Sequence, residues 1–191
     1  MPGKRLPRDQ RRLQLLETAA AIVRAEGTDA LTLARVAEQA GVTKPIAYEH
    51  FETRAGLLVA LYRHFDARQT EATRAALESR AHSLDDAVAI LAAAYVDCTL
   101  QGGKEFGAIA AALSATEAMD DFRHAMREEY VELYRKALGR FTALPGRDGK
   151  AVLLGLIGAA DTLSQAAAAG RMSRKDAIAA LTRIMLGALR P

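Results

Sequence analysis

Four side chains in one short segment carry groups suited to contact with nucleic acid: Lys44, Pro45, Tyr48 and His50. A lysine can donate to guanine O6 and N7, and a proline ring can pack on a thymine methyl group. The spacing of the apolar residues Ile46 and Phe51 predicts a short helix over 44–50 whose inner face they anchor. The four listed side chains then face outward, as on a helix that enters a DNA major groove.

The residues ahead of that helix predict a partner helix that holds it in place. We interpret 33–40 as a helix with Thr32 as its N-cap, because a threonine hydroxyl can accept a backbone N–H of the first turn. Gly41 supplies the left-handed backbone of a sharp turn, and Thr43 caps the helix that follows. The segment as a whole predicts a helix-turn-helix.

A basic arm precedes this segment. Residues 1–12 carry five Lys or Arg side chains and one acidic side chain, Asp9, for a local charge of +4. Such an arm often contacts phosphates, and a solubilising tail is the alternative interpretation. The net charge of the whole chain, +3, does not decide between these two interpretations.

Five short motifs follow one another over residues 10–65: Leu31-Thr32, Val36-Ala37, Ala40-Gly41-Val42-Thr43, Tyr48-x-His50-Phe51 and Leu57-Leu58. In this order and spacing they resemble the TetR family of bacterial transcriptional regulators. The resemblance implies that Thr32, Tyr48 and Arg54 contact the DNA backbone. It also implies that Thr43, Lys44, Pro45 and His50 contact base edges or flanking phosphates.

Two residues depart from the family pattern. Ala47 stands where a larger apolar residue is common, so we expect packing under the recognition helix to depend more on Ile46. Arg35 stands where a carboxylate often completes the cap of the preceding helix. A cation there opposes the helix dipole, so we expect Arg35 to reach for a DNA phosphate.

The rest of the chain predicts an all-α fold of about nine helices. Alanine, leucine and arginine dominate, and no strand-like alternation stands out. We expect a helix-turn-helix domain over 1–54 and a helical bundle for ligand binding and dimerisation over 55–191. The expected helices begin or end near these residues: Arg8–Glu26, Leu33–Ala40, Lys44–His50, Arg54, Leu84–Gly102, Glu105–Ser114, Asp120–Phe141, Lys150–Ala169 and Ser173. The first of them is expected to bury Leu13, Leu16, Ala20 and Val23.

The resemblance further implies a pocket for a small molecule among the middle helices and a dimer formed by the last two. Expected pocket residues are Phe65, Leu91, Tyr95, Cys98, Phe106, Ile109, Phe122, Met126 and Tyr130. Expected interface residues are Leu153, Leu156, Ile157, Ala160, Leu163, Ile178, Leu181 and Met185. Ordinary core packing is the alternative for both sets. The predicted function is a dimeric repressor that a small apolar or amphipathic ligand releases from a palindromic operator in double-stranded DNA.

Other classes of protein receive little support from the sequence. The four histidines show no metal-ligand spacing, and no phosphate-binding glycine loop or nucleophile motif is present, so we expect no enzyme activity, cofactor or metal. Cys98 predicts a small core residue, with redox sensing as the alternative. The longest apolar runs span ten residues, too few to cross a bilayer, so we expect a cytoplasmic protein. A sequence-independent DNA-binding protein and a helical enzyme without a recognisable motif remain the alternative functions.

Overall fold

The computed structural model describes residues 6–101, 109 and 118–190, and these residues form an all-α fold, as predicted. Their eight helices are α1 (Arg8–Glu26), α2 (Leu33–Gln39), α3 (Lys44–Phe51), α4 (Arg54–Arg80), α5 (Leu84–Gln101), α6 (Ala118–Leu138), α7 (Gly146–Ala168) and α8 (Arg174–Leu189). The sequence predicted about nine helices. The additional one, Glu105–Ser114, lies outside the described residues except for Ile109.

The described residues belong to two compact units. The first contains the chain up to Phe65 together with Ile109, and the second contains 66–101 and 118–190. Helix α4 contributes residues to both units, because it runs without a break from Arg54 to Arg80. The sequence analysis placed a boundary after residue 54 between a DNA-binding domain and a ligand-binding domain. That boundary divides the chain by role, and it stays a prediction.

Helix α1 supplies much of the core of the first unit. Its buried residues are Leu15, Leu16, Ala19, Ile22 and Val23. Two of the four predicted residues, Leu16 and Val23, are therefore buried as expected, whereas Leu13 is 44% exposed and Ala20 is only half-buried. Apolar residues cover more than half the circumference of this helix, so periodicity alone allowed two adjoining stripes. Tertiary packing, which includes contacts with α2, selects the stripe centred on Ala19.

The second unit is built around α5, which packs against α6, α7 and α8, while α7 also packs against α6 and α8. Its core contains large side chains that are almost inaccessible to solvent: Leu91, Tyr134, Leu138, Leu153, Leu181 and Met185. Helix α8 begins after Ser173, where the sequence predicted the start of a helix. The Ser173 hydroxyl accepts from Asp176 N at 3.1 Å, which satisfies one N–H of the first turn.

Helix α7 is long and apolar enough to cross a membrane by length and composition alone. A core helix of a water-soluble protein passes the same test. One side of α7 contributes Leu153, Leu156, Ile157 and Ala160 to the core of the second unit. The opposite side carries Gly155 and Gly158 at exposed positions.

Candidate nucleic-acid interface and cavity

Thr32 begins α2 as the sequence predicted. Its backbone is extended, and its Oγ1 accepts a hydrogen bond from Arg35 N at 3.1 Å. The residue is exposed, so the same hydroxyl lies at the surface of the first unit. The cap fixes where α2 starts and leaves a polar group at its amino end.

A tight turn at Gly41 joins α2 to α3. Gly41 has φ of +68°, a conformation that a β-carbon disfavours. Val42 N donates to Ala37 O at 2.9 Å, and Ala37 is fully buried where the two helices meet. The small residue and the glycine together allow two short helices to pack closely across a connection of four residues.

Helix α3 presents three of the four side chains that were predicted to face outward, whereas the fourth, His50, is half-buried. Lys44 and Pro45 are exposed, and Tyr48 is 49% exposed. The inner face differs in detail from the prediction, because Ala47 is fully buried whereas Ile46 is only half-buried. The small side chain of Ala47 thus lets the backbone of α3 lie close to the core.

Thr43 and His50 flank that face. Thr43 is exposed and occupies the N-cap position of α3, but its side chain makes no capping hydrogen bond. His50 is half-buried, and desolvation lowers the pKa of its imidazole below the usual value. The charges of Arg12, Arg8 and Arg11 lower this pKa further, against an opposite effect from Glu49. A neutral imidazole is therefore favoured at pH 7.

Two arginines that the sequence assigned to DNA phosphates have partners within the first unit. Arg35 pairs with Glu26 at 3.0 Å and with Glu38 at 3.4 Å, and these contacts raise its pKa. Arg54 donates from Nε to Leu31 O at 2.9 Å and from Nη2 to Thr28 O at 2.7 Å. These contacts tie α2 to α1 and the start of α4 to the loop before α2.

The carboxyl end of α3 is held by contacts that the sequence did not indicate. Arg12 Nη1 donates to His50 O at 2.7 Å, and its guanidinium carbon lies 4.8 Å from the centroid of the Phe51 ring. Glu52 then has φ of 59° and ψ of −53°, and Thr53 N donates to Phe51 O at 2.6 Å. This is a γ-turn of the rarer, strained type.

A small cavity lies within the second unit, with a volume of about 20 Å³, room for a water molecule. Its lining residues are Gln69, Thr70, Thr73, Leu91, Ala94, Tyr95, Cys98, Tyr130, Leu133 and Tyr134. Four predicted pocket residues are among them: Leu91, Tyr95, Cys98 and Tyr130. Phe122 and Met126 are buried in the second unit away from this lining, Phe65 and Ile109 belong to the first unit, and Phe106 lies outside the described residues.

Sequence analysis missed two polar residues at or near this cavity: Tyr134, which lines it, and Asp66, which bonds to the lining residue Tyr130. Tyr134 is 1% exposed, and its hydroxyl has no hydrogen-bond partner among the described residues. Tyr130 Oη donates to Asp66 Oδ1 at 2.5 Å, and Asp66 is 7% exposed. A detectable signal existed: Asp66, Thr70 and Thr73 recur at helical spacing along α4, which marks a polar stripe on an inward face.

Cys98 is half-buried beside these groups. Burial raises the pKa of its thiol to about 11, and the Asp66 carboxylate adds to the rise. Among the described residues, no group of three His, Cys, Asp or Glu side chains is placed to hold a metal ion.

Most of the residues expected at a dimer interface pack inside the second unit. Leu153, Leu156, Ile157, Ala160, Leu181 and Met185 are at most 4% exposed. Buried side chains offer no surface to a second copy, so of the expected set only Leu163 and Ile178 keep partial exposure. Helices α7 and α8 instead expose other residues, including Gly155, Gly158 and Ile184, which is 45% exposed.

Residues 15–61 match the family described as bacterial regulatory proteins, tetR family. A segment of 65 residues, 34% of this chain, is 45% identical to the HTH-type transcriptional activator FasR of Mycolicibacterium smegmatis, of which it spans 30%. The fold is similar to that of a TetR transcriptional regulator from Rhodococcus sp. RHA1, with a TM-score of 0.74, 19% identity and coverage of 96% of this chain and 98% of that one. It is also similar to the transcriptional regulator FadR from Bacillus subtilis in complex with stearoyl-CoA, with a TM-score of 0.70, 14% identity and coverage of 93% and 97%.

Proposed function

We propose that this chain is a dimeric repressor that binds a palindromic operator and belongs to the TetR family of bacterial regulatory proteins, which residues 15–61 match. The observation that carries the proposal is the exposed face of α3. Lys44, Pro45 and Tyr48 project from a rigid short helix whose opposite side, Ala47 and Phe51, is buried. Such a helix can enter a major groove without unfolding any part of the first unit.

Selection of bound duplexes from a random pool tests this proposal. A repressor of this kind enriches an inverted repeat whose half-sites are centred about 34–36 Å apart on one face of the duplex. Equal binding to all duplexes would favour the sequence-independent alternative, and no binding at all would favour the helical enzyme.

Lys44→Gln gives a residue-level version of this test. Loss of one base or phosphate contact should weaken operator binding about tenfold, because a good base contact contributes on the order of 1–3 kcal/mol. Lys175→Gln is the matched control, since Lys175 is an exposed lysine in the second unit. Equal effects of the two substitutions would remove Lys44 from the interface.

The sign of regulation needs its own experiment, because the relative FasR is named an activator. We propose repression, in which the bound dimer blocks access to a promoter. A reporter gene behind the selected operator should be transcribed less when the chain is present. Increased transcription would make the chain an activator and leave the DNA-binding proposal intact.

Dimerisation is proposed to use the exposed sides of α7 and α8. Gly155 and Gly158 lie one turn apart, and a β-carbon at either position would meet no atom within 4 Å. Glycines at exposed positions allow the backbones of two helices to approach closely when a second copy covers them. Gly158→Arg should leave the fold intact and yield a monomer in sedimentation experiments. Ala75→Arg, at an exposed alanine of α4, should remain dimeric.

A ligand is proposed to enlarge the cavity of the second unit. The FadR structure, which has a similar fold, contains stearoyl-CoA. In this chain, Leu91 and Leu133 offer apolar contact, and the Tyr134 hydroxyl offers a hydrogen bond to an otherwise apolar molecule. The proposed ligand is therefore apolar or amphipathic with a hydrogen-bond acceptor.

A thermal-shift screen of such molecules, followed by Tyr134→Phe, tests the ligand proposal. Hits should release the operator, and the substitution should weaken the hits that carry an acceptor about tenfold, the effect of one lost hydrogen bond. No hit, or hits that leave operator binding unchanged, would favour a regulator without a ligand. All of these activities are proposed to take place in the cytoplasm.

A further inference from the structure

We propose that Arg12 positions the recognition helix α3 and thereby sets base specificity, without itself contacting a phosphate. This inference rests on the proposed function and assigns Arg12 a role different from that of the basic arm in which the sequence places it. The assignment follows from three features of the carboxyl end of α3.

The first feature is the hydrogen bond to the end of the helix. The last carbonyl groups of a helix have no partner within it, and they carry partial negative charge. Arg12 Nη1 meets this need by donating to His50 O at 2.7 Å. A cation at this place complements the partial negative charge of the last turn, so the contact is electrostatically favourable.

The second feature is the stacking of the same guanidinium on Phe51. The guanidinium carbon lies 4.8 Å from the ring centroid, and Phe51 is 4% exposed. Its ring therefore belongs to the core of the first unit. The guanidinium is thus fixed against a buried ring as well as a carbonyl oxygen, which leaves it poorly disposed to reach a phosphate.

The third feature is the rigidity of the surroundings. Arg12 lies one turn before Leu15 and Leu16, which anchor α1 in the core. Gln14 Nε2 donates to Ala40 O at 3.3 Å, so the first turns of α1 contact the carboxyl ends of both α2 and α3. On the other side, the Gly56 position lies so close to Phe51 O that a β-carbon there would collide with it.

These contacts fix the direction of an eight-residue helix from one end. Base readout requires side chains to be held within about 0.5 Å and 10–20° of the productive geometry. Loss of the Arg12 contacts should allow α3 to tilt. The tilt should weaken the contacts of Lys44 and Tyr48 with base edges more than their attraction to the phosphates, which depends less on exact geometry.

The test compares Arg12→Gln, Arg12→Lys and Arg8→Gln for binding to the selected operator and to a random duplex. Arg8→Gln is the control, because it removes the same charge from an exposed position four residues earlier on α1. For Arg12→Gln we expect operator affinity to fall about tenfold, with little change in random-duplex affinity and in the slope of log affinity against log salt. Arg12→Lys, which keeps a donor and a cation, should recover part of the specificity.

Two results would overturn the proposal. Parallel losses on both duplexes with a salt slope smaller by about one would make Arg12 a phosphate contact. Unchanged binding to both duplexes would give it no role in recognition.

Amide hydrogen exchange in the free protein separates this inference from the proposed function. If Arg12 holds α3, Arg12→Gln should speed exchange at Glu52, whose N–H bonds to Tyr48 O at the end of the helix, about fivefold or more. Arg8→Gln should leave that exchange rate unchanged. A wild-type chain that selects no DNA sequence would end the proposed function, and unchanged exchange at Glu52 would then end the positioning role as well.

Discussion

The Asp66 carboxylate lies in the interior of the second unit and accepts a hydrogen bond from Tyr130. A buried carboxylate needs such donors, because burial removes it from water. Tyr130→Phe removes the donor at 2.5 Å and leaves the rest of the ring in place. We expect the free energy of unfolding to fall by about 1–3 kcal/mol, the cost of leaving a buried charged acceptor one partner short. Urea denaturation measures the loss. Tyr48→Phe, at an exposed tyrosine, should change stability by less than about 0.5 kcal/mol.

The Cys98 thiol bears on the redox alternative. Burial raises its pKa from 9.0 to about 11, so the folded chain holds the proton more tightly than the unfolded chain. The resulting contribution to stability is complete below pH 9 and is lost as the pH rises through 11. At pH 8 we expect iodoacetamide to alkylate the folded protein at least about fiftyfold more slowly than the urea-unfolded chain, because only the thiolate reacts. Similar alkylation rates in the folded and unfolded states would favour the alternative that Cys98 is a redox sensor.

At the scale of elements, the amino end of α2 depends on one hydroxyl. Thr32→Ala removes the acceptor for Arg35 N, and we expect a loss of about 1 kcal/mol in the free energy of unfolding. Thr32→Ser keeps the oxygen and should lose much less. Equal losses for the two variants would show that the methyl group, rather than the cap, stabilises this end of the helix.

Some helix ends were predictable and others were not: α7 begins at Gly146 and not at Lys150, and α6 ends at Leu138 and not at Phe141. The caps at Thr32 and Ser173 follow from local chemistry, in which a side-chain oxygen accepts from a backbone N–H three residues away. Helix faces were less predictable. Leu13 and Leu15 are chemically identical, and tertiary packing decides that Leu15 is buried and Leu13 exposed.

Some features of the candidate sites were likewise predictable from the sequence, and others were not. The outward face of α3 was predictable because Gly41 and the helical period fix its orientation. The partners of Arg35 and Arg54 were not, since a long side chain can reach acceptors at very different sequence separations, from Glu38 beside Arg35 to Leu31 O, which accepts from Arg54. The expected interface residues on α7 were likewise apolar enough for either role, and tertiary contacts assigned most of them to the core.

At the scale of the whole molecule, the proposed dimer predicts that stability depends on concentration. Unfolding of a dimer into monomers is opposed by mass action, so a tenfold increase in protein concentration should raise Tm by about 2 °C. Calorimetry at two concentrations measures the shift. Gly158→Arg should abolish the dependence, and a concentration-independent Tm for the wild-type chain would contradict the dimer.

The positive φ of Glu52 determines which residues selection should favour at position 52. Among the described residues, it alone combines a side chain with positive φ, so a codon-52 library sorted for stability should enrich glycine. When the same library is sorted for operator binding, glycine should be enriched less, because it makes the end of the recognition helix, which Arg12 holds, more flexible. The two enrichments should therefore diverge at this codon, and the size of the divergence measures how much conformational freedom DNA recognition tolerates at the end of α3.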